Sequence, residues 1–378
     1  MKRKTTSFWD SLVGCFFISA TIIFCICAFI IGKMTYNNVN AQKVQSTSKL
    51  VQMSKTSKAQ SVSTTVPVGS NGMCLIDGKT GNIIYEYNSN AALPMASTTK
   101  IMTALIALEK LPPDKIISVN KNACNVEGSS IYLTPDEKIT CLDLVYGLML
   151  ESGNDAAAAL AYEISGSIES FASLMNSKAK ELGLENTSFA NPHGLSNSNH
   201  YTTAYELALI CAQAYKNPLF SQIAASKSYT STTNTTTRSF SNHNKLLQSY
   251  SGAIGVKTGY TINSGRCLVS AAQRDDTMFI CVTLNAKDDW NIHTQLLDRA
   301  FAQYKTITLA KAHTFCVSHK GIKYTNPQSI YLTVPKDTSC AYSYNTSIYN
   351  GVVTVKVYAD NKEQASFELT EKSDIESE

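Results

Sequence analysis

The sequence predicts a mixed α/β (α+β) fold: an antiparallel sheet that carries a helical insertion, followed by a small all-β domain. Three observations carry this. Strand-like runs, Met73 to Ile76 and Ile83 to Tyr87, flank the turn sequence Asp77-Gly78-Lys79-Thr80-Gly81 and read as a hairpin. A mostly helical stretch follows from Leu142 to Ala214, and strand-like runs return around Lys257. Beyond Lys305, Ser329 to Val334 and Gly351 to Tyr358 alternate or are β-branched, which indicates a separate β-rich unit.

The elements can be taken in chain order. Lys2-Arg3-Lys4 precedes Leu12 to Ile31, twenty residues without a charge. As a helix this run spans about 30 Å, the thickness of a hydrocarbon core. The basic flank stays inside and everything after Lys33 lies outside. Val39-Asn40-Ala41 fits the small-residue rule for signal cleavage but lies well beyond the apolar run, so a retained anchor is the expectation. Thr35 to Thr65 is rich in Ser, Thr, Lys, Gln and Asn and cannot bury a core. Residues 1–33 therefore read as cytoplasmic tail plus membrane segment and 34–65 as a flexible tether. Residues 66–305 form the main domain, and 306–378 a β-rich tail domain.

In the main domain, Ile101, Met102, Leu105, Ile106 and Leu108 recur at helical steps behind Ser97. Leu111-Pro112-Pro113 stops that helix. Leu142 to Leu150 reads as a buried helix, interrupted by Glu151-Ser152-Gly153-Asn154-Asp155 before Ala156 to Ala161 resumes one. Ser228 to Ser241 is Thr/Ser-rich and extended. Arg266 to Ala272 and Met278 to Leu284 read as strands, and Asp298 to Tyr304 as a closing helix.

Charge excludes one class of partner. The chain of 378 residues carries 33 basic and 29 acidic side chains. Eight of the bases and one acid fall before residue 59, leaving 25 bases and 28 acids in the folded part. That part is mildly acidic, and no basic patch argues for nucleic acid. Of eleven cysteines, three lie in the apolar segment; the rest form no C-x-x-C and no zinc spacing, and read as free thiols. The six histidines show no metal spacing and read as polar core or surface residues. No metal or cofactor is called for.

Three short motifs carry the chemistry: Ser97-Thr98-Thr99-Lys100, Ser152-Gly153-Asn154 and Lys257-Thr258-Gly259. Each is weak alone, since serine is a common N-cap and Gly and Asn are common in turns. Their order and contexts make the set strong. Ser97 at a helix start has Lys100 one turn later on the same face, where the amine reaches the hydroxyl. The helix end also offers free N–H groups to a developing oxyanion. Ser152 and Asn154 project from a polar turn between buried helices, and Lys257 sits on or beside a sheet strand.

With these residues in place, the chain resembles the low-molecular-weight penicillin-binding proteins, the serine-type D-alanyl-D-alanine carboxypeptidases. Gly128-Ser129-Ser130, Leu182 to Thr187, Pro192-His193-Gly194-Leu195, Asn242 to Leu247 and Gly255 to Gly265 share the likeness, which runs from about Val66 to Tyr304. The resemblance implies the penicillin-binding transpeptidase-like fold, with the site between sheet and helices. It implies a peptidoglycan stem peptide ending in D-Ala-D-Ala as substrate and β-lactams as covalent inhibitors. The implied roles are Ser97 as nucleophile, Lys100 as base and Ser152 as proton relay. Asn154, Lys257, Thr258 and Gly259 hold substrate, and the N–H groups of Ser97 and Tyr260 form the oxyanion hole. The enzyme belongs at the bacterial cell membrane with its catalytic domain outside the cytoplasm.

The chain departs from the pattern twice. Many relatives end in a membrane-lying amphipathic helix, whereas Glu368 to Glu378 holds five acids and one lysine, so the N-terminal segment replaces that anchor. The arginine that some relatives use for the substrate carboxylate has no counterpart; Ala286-Lys287-Asp288-Asp289 stands there. Lys257 and Thr258 carry that task alone or with Lys287. A class A β-lactamase would share the three motifs, but the E-x-x-L-N context of its deacylating Glu is absent from Ile164 to Val256. A wall-binding scaffold has no need of a nucleophile–base pair.

Overall fold

The computed structural model describes residues 69–337, 341–349, 352–359 and 361–371. The expected membrane segment, the tether and the end of the acidic tail lie outside the described residues. Among the described residues no helix is long and apolar enough to cross a membrane.

A five-stranded antiparallel sheet organises the main domain. Its strands are β1 (Ser70–Asp77), β2 (Ile83–Tyr87), β7 (Ala253–Thr261), β8 (Gly265–Arg274) and β9 (Thr277–Ala286), in the order β2-β1-β9-β8-β7. The first strand pairs with β9, Leu75 opposite Cys281, so the chain returns to its own beginning after the helical insertion. Strand side chains alternate between two buried faces. Cys74, Ile76, Val269, Ile280 and Val282 join the larger core beneath the helices. Met73, Leu75, Leu268, Phe279 and Cys281 join a second core. There Ile292, Leu296, Leu297 and Phe301 of helix α8 (Asp289–Gln303) cover them. Helix α8 begins nine residues before the sequence reading places it. Its apolar stripe is spaced among Asn, His, Thr, Gln and Asp, which hide it from a reading of runs.

The insertion folds as α1 (Lys100–Lys110), β3 (Ile116–Ser118), β4 (Lys138–Thr140), α2 (Cys141–Leu150), α3 (Asn154–Ser165), α4 (Ile168–Glu181), α5 (Ala204–Ala214) and α6 (Pro218–Ala225). The starts are built by side-chain caps. Thr140 accepts from the Asp143 N–H, Ser167 from Ser170 and Thr203 from Glu206, and Asn217 caps a helix with Pro218 at its first position. Gly166, at φ +75°, ends α3 in the left-handed conformation that glycine adopts without strain. A hairpin of β5 (Ser228–Thr232) and β6 (Thr237–Ser241), then the short α7 (Leu246–Ser249), return the chain to the sheet.

The C-terminal part is all-β. Strand β10 (Tyr304–Ala310) pairs with β13 (Ile330–Pro335). Strands β11 (Cys316–His319), β12 (Ile322–Thr325), β14 (Tyr342–Tyr349), β15 (Val352–Ala359) and β16 (Lys362–Glu371) form a sheet ordered β11-β12-β16-β15-β14. Leu332, Val334, Val353, Val355, Val357, Phe367 and Leu369 share one core. The seven described cysteines are free thiols, and five of them are buried.

Candidate active site

The turn that carries Ser97 is built from its neighbours. Ala96–Thr99 is a 3₁₀ turn leading into α1, so the α-helix proper starts at Lys100 and not at the serine. Ala96 sits at φ +49°, a region costly for a residue with a Cβ. The hydroxyls of Thr98 and Thr99 donate to the carbonyls of Met95 and Ala96, at 2.6 and 2.7 Å. The His200 ring braces the same turn. Its Nδ1 accepts from the Ala190 N–H, so the proton is on Nε2, which donates to Thr99 Oγ1 at 2.7 Å. Burial holds this ring down to about 4, so it is neutral near pH 7. Two glycines let other backbones approach. A Cβ on Gly194, at φ +93°, would lie 2.0 Å from the Ala96 carbonyl oxygen, and one on Gly259 would lie 3.0 Å from Ser97 N.

Lys100 is fully buried. Its Nζ lies 2.9 Å from Ser97 Oγ, 2.7 Å from Asn154 Oδ1 and 2.6 Å from the His193 carbonyl oxygen. The Asn154 amide is held the right way round because its Nδ2 donates to the Glu127 carbonyl at 2.5 Å. Burial holds the Lys100 amine well below its ordinary value. The second cation, Lys257, pushes the same way, and Asp155 opposes them. A neutral amine has two N–H groups and one lone pair. The two carbonyl oxygens can only accept, so they take both N–H groups. The lone pair then faces the Ser97 hydroxyl.

Asp155 organises the loop beside these residues. Its buried carboxylate accepts from the Ser130 hydroxyl at 2.7 Å and from the N–H groups of Ile131 and Leu133, each at 3.0 Å. Asn154 N–H donates to the Ser129 carbonyl, so the Gly128–Leu133 loop is clamped to the start of α3. Asn154 is therefore the first residue of a helix and not part of the preceding turn. Ser152 stays in that turn, buried, at φ +64°.

Strand β7 supplies the opposite wall. Lys257, Thr258, Gly259 and Tyr260 pair with Val269, Leu268, Cys267 and Arg266 of β8. The Lys257 side chain is buried, and its Nζ donates to the Thr258 carbonyl at 3.1 Å. Burial lowers its pKa to about 7, with the Glu151 carboxylate opposing the shift. Tyr260 is exposed at the strand end.

Sequence reasoning named Ser97, Lys100 and Asn154, and these touch. It missed the His193 carbonyl, the Asp155 clamp and the His200 brace. Asp155 had a signal, standing directly after Ser152-Gly153-Asn154. The His193 carbonyl had none, because a backbone oxygen carries no residue identity.

A three-layer fold with a serine and two buried lysines in one cleft defines a class: penicillin-binding, transpeptidase-like serine enzymes. The family is narrower. Residues 54–288 match the model for D-alanyl-D-alanine carboxypeptidases, and the chain belongs to that family. It is 39% identical over 246 residues to the Bacillus subtilis D-alanyl-D-alanine carboxypeptidase DacF, covering 63% of either chain. It is 36% identical over 261 residues to the Escherichia coli DacC carboxypeptidase, covering 65% of this chain and 64% of that one. Under two thirds of the length of these two relatives is thus spanned. Among solved structures, penicillin-binding protein 5 of Haemophilus influenzae superposes with a TM-score of 0.71 at 26% identity. The match covers 82% of this chain and 98% of that one.

Proposed function

We propose that this protein is a serine-type D-Ala-D-Ala carboxypeptidase, removing the terminal D-alanine from peptidoglycan stem pentapeptides through an acyl-enzyme on Ser97. The observation that carries this reading is the Lys100 amine. It is buried, held below its ordinary pKa, and within hydrogen-bond distance of two carbonyl oxygens and of Ser97 Oγ, so that in its neutral form the lone pair is left for the serine.

Lys100 takes the Ser97 proton as Oγ attacks the carbonyl of the penultimate D-alanine. The oxyanion is met by the N–H groups of Ser97 and Tyr260. The approach of Gly259 to Ser97 N supports this pairing of strand and helix start. Ser152 passes a proton to the leaving amine, the C–N bond breaks, and D-alanine departs. Asn154 holds the substrate amide as well as Lys100. Lys257 and Thr258 read the terminal carboxylate, and Gly259 keeps the strand close; Lys287, in the turn after β9, is the other cation the sequence offers for this task. A carboxylate beside Lys257 raises its pKa, so the substrate itself secures the cation that binds it. Water then cleaves the ester. A β-lactam enters as a mimic and leaves Ser97 acylated. Residues 1–33 anchor the enzyme in the bacterial membrane, which leaves the catalytic domain on the side of the wall polymer.

Mass analysis of a stem pentapeptide incubated with the protein should show loss of one alanine, and labelled penicillin should remain on Ser97. Ser97→Ala should abolish both. Residual covalent labelling of that variant would remove Ser97 as the nucleophile.

A further inference from the structure

Glu151 stands between α2 and Ser152 and has no role in the reaction above. It closes α2 as its C-cap, with its backbone still helical at φ −89° and ψ −7°. Ser152 then turns to φ +64°, a conformation that a residue with a Cβ keeps only where its surroundings fix it. The residues after it are fixed by backbone bonds. Gly153 N–H donates to the Gly147 carbonyl, and Asn154 N–H to the Ser129 carbonyl. The residue before it is held by its side chain.

That side chain reaches far along the sequence. One oxygen of Glu151 accepts from the Ser241 N–H at the end of β6, at 2.5 Å, and the other lies 3.3 Å from His243 Nε2. A carboxylate on a backbone N–H is a strong, charge-assisted contact. The segment that receives it is itself tied down. Asn242 Nδ2 donates to the carbonyls of Ala224 and Ser226 at the end of α6, and Asn242 N–H to that of Lys227. Asn242 Oδ1 accepts from Asn244 N–H, and Asn244 Oδ1 from Leu246 N–H at the start of α7. From α7 the chain runs into β7, which carries Lys257. Glu151 thus joins the turn of the second motif to the stretch that leads into the third. Its charge is felt there too, since it opposes the fall in the Lys257 pKa.

We propose that Glu151 is a positioning residue for Ser152: the reach of its carboxylate to Ser241 fixes the turn so that the Ser152 hydroxyl meets the leaving amine. The proposal rests on the proton relay given to Ser152 above. In that step the C–N bond of the tetrahedral adduct breaks and the nitrogen takes the Ser152 proton. Ser152 Oγ takes in turn the proton that Lys100 removed from Ser97. An amine leaves only with that proton, whereas a thiolate leaves without one. Misplacing Ser152 should therefore slow the cleavage of a peptide and spare that of a thioester.

The test uses the full chain and two substrates with the same acyl part and a terminal carboxylate. One is a stem pentapeptide ending in D-Ala-D-Ala; the other has D-thiolactate in place of the last D-alanine. The readout is kcat/KM for each, which covers every step through acylation, and an effect on Lys257 cancels in the ratio of the two. Ser152→Ala is the reference and should lose the peptide far more than the thioester. Glu151→Ala should lower the peptide value by about 10²-fold, the cost of a misplacement near 1 Å, and leave the thioester value nearly unchanged. Glu151→Asp keeps the charge but falls one methylene short of Ser241, and should show the same selective loss. Glu151→Gln keeps the reach and an oxygen for the Ser241 N–H, and should restore the peptide rate; its NH₂ faces a ring nitrogen that accepts in one tautomer. Thioester turnover shows that each variant is folded, and the Asp and Gln variants decide the matter if the alanine variant is not. Equal losses on both substrates, an aspartate variant that matches wild type, or a glutamine variant as slow on peptide as the aspartate one overturns the positioning role and leaves the carboxypeptidase standing. Equal losses in Ser152→Ala overturn the relay and the positioning role with it.

Discussion

Two buried ionisable groups in this molecule are treated in opposite ways. Asp77, at the end of β1, is fully buried, and every partner it meets is a donor. The N–H groups of Lys79 and Thr80 reach Oδ1, and the hydroxyls of Thr306 and Thr333 reach Oδ2, each hydroxyl at 2.7 Å. These tie the main sheet to β10 and β13. Lys100 is as deeply buried but has a second cation nearby and carbonyls that a neutral amine satisfies as well as an ammonium. One site solvates its charge; the other withholds solvation and turns the group into a base. The difference separates a structural charge from a chemical one, although both are invisible to solvent.

The largest expected effect breaks the chemical side. Lys100→Arg keeps a cation but gives a group that does not deprotonate near neutrality. Penicillin acylation of Ser97 should fall by about 10²–10⁴-fold, the worth of a general base. Stopped-flow or gel-labelling rates measure it. Lys257→Arg, which keeps the charge on β7, should be milder.

A second substitution attacks geometry without touching a titrating group. Gly194→Ala puts a Cβ 2.0 Å from the Ala96 carbonyl, against backbone that cannot swing aside. The Ser97 turn must shift, and a misplacement near 1 Å costs about 10²-fold in rate. Unchanged acylation in a folded Gly194→Ala protein would mean that the turn is not held as tightly as these contacts indicate.

Asp77→Asn sharpens the comparison from the structural side. An amide has one acceptor oxygen where the carboxylate had two, and it turns an NH₂ toward two hydroxyls. Denaturant unfolding should show a loss of about 2–3 kcal/mol, the scale of a broken buried charge-assisted network. The acylation rate of the folded protein should stay within about twofold, since the site is independent of it. A large rate loss would couple the two regions.

What the sequence made legible follows from the range over which each feature is specified. The Ser97–Lys100 pair is local, fixed by helical spacing, and could be read directly. The buried helix Cys141–Leu150 and the Asp77–Gly81 turn were equally local. The antiparallel sheet was inferred from the order of strand-like and helical runs, but its closure through β1 and β9 pairs residues some two hundred positions apart. The site depends on similar distances. Lys100 is completed by a carbonyl in the His193 loop, and the loop at Ser130 by a carboxylate that follows the second motif. The histidines were read as polar core or surface. His200 is core, yet its ring braces the Ser97 turn, a role that only its two ring contacts reveal. The start of α8 escaped because alternate polar residues broke up its apolar stripe.

The central claim is that Lys100 works as a neutral amine. Its most direct test is the rate of Ser97 acylation by penicillin as a function of pH, in wild type and Lys100→Arg. The folded-state pKa of Lys100 is lowered, so the neutral base is already present at pH values where a free lysine is protonated. The wild-type rate should rise with pH through an inflection well below about 10.4, the value of an unperturbed lysine, and then level off. The arginine variant should be slow and lack that inflection. A wild-type rate still climbing at pH 10, or an arginine variant that matches it, would contradict the account.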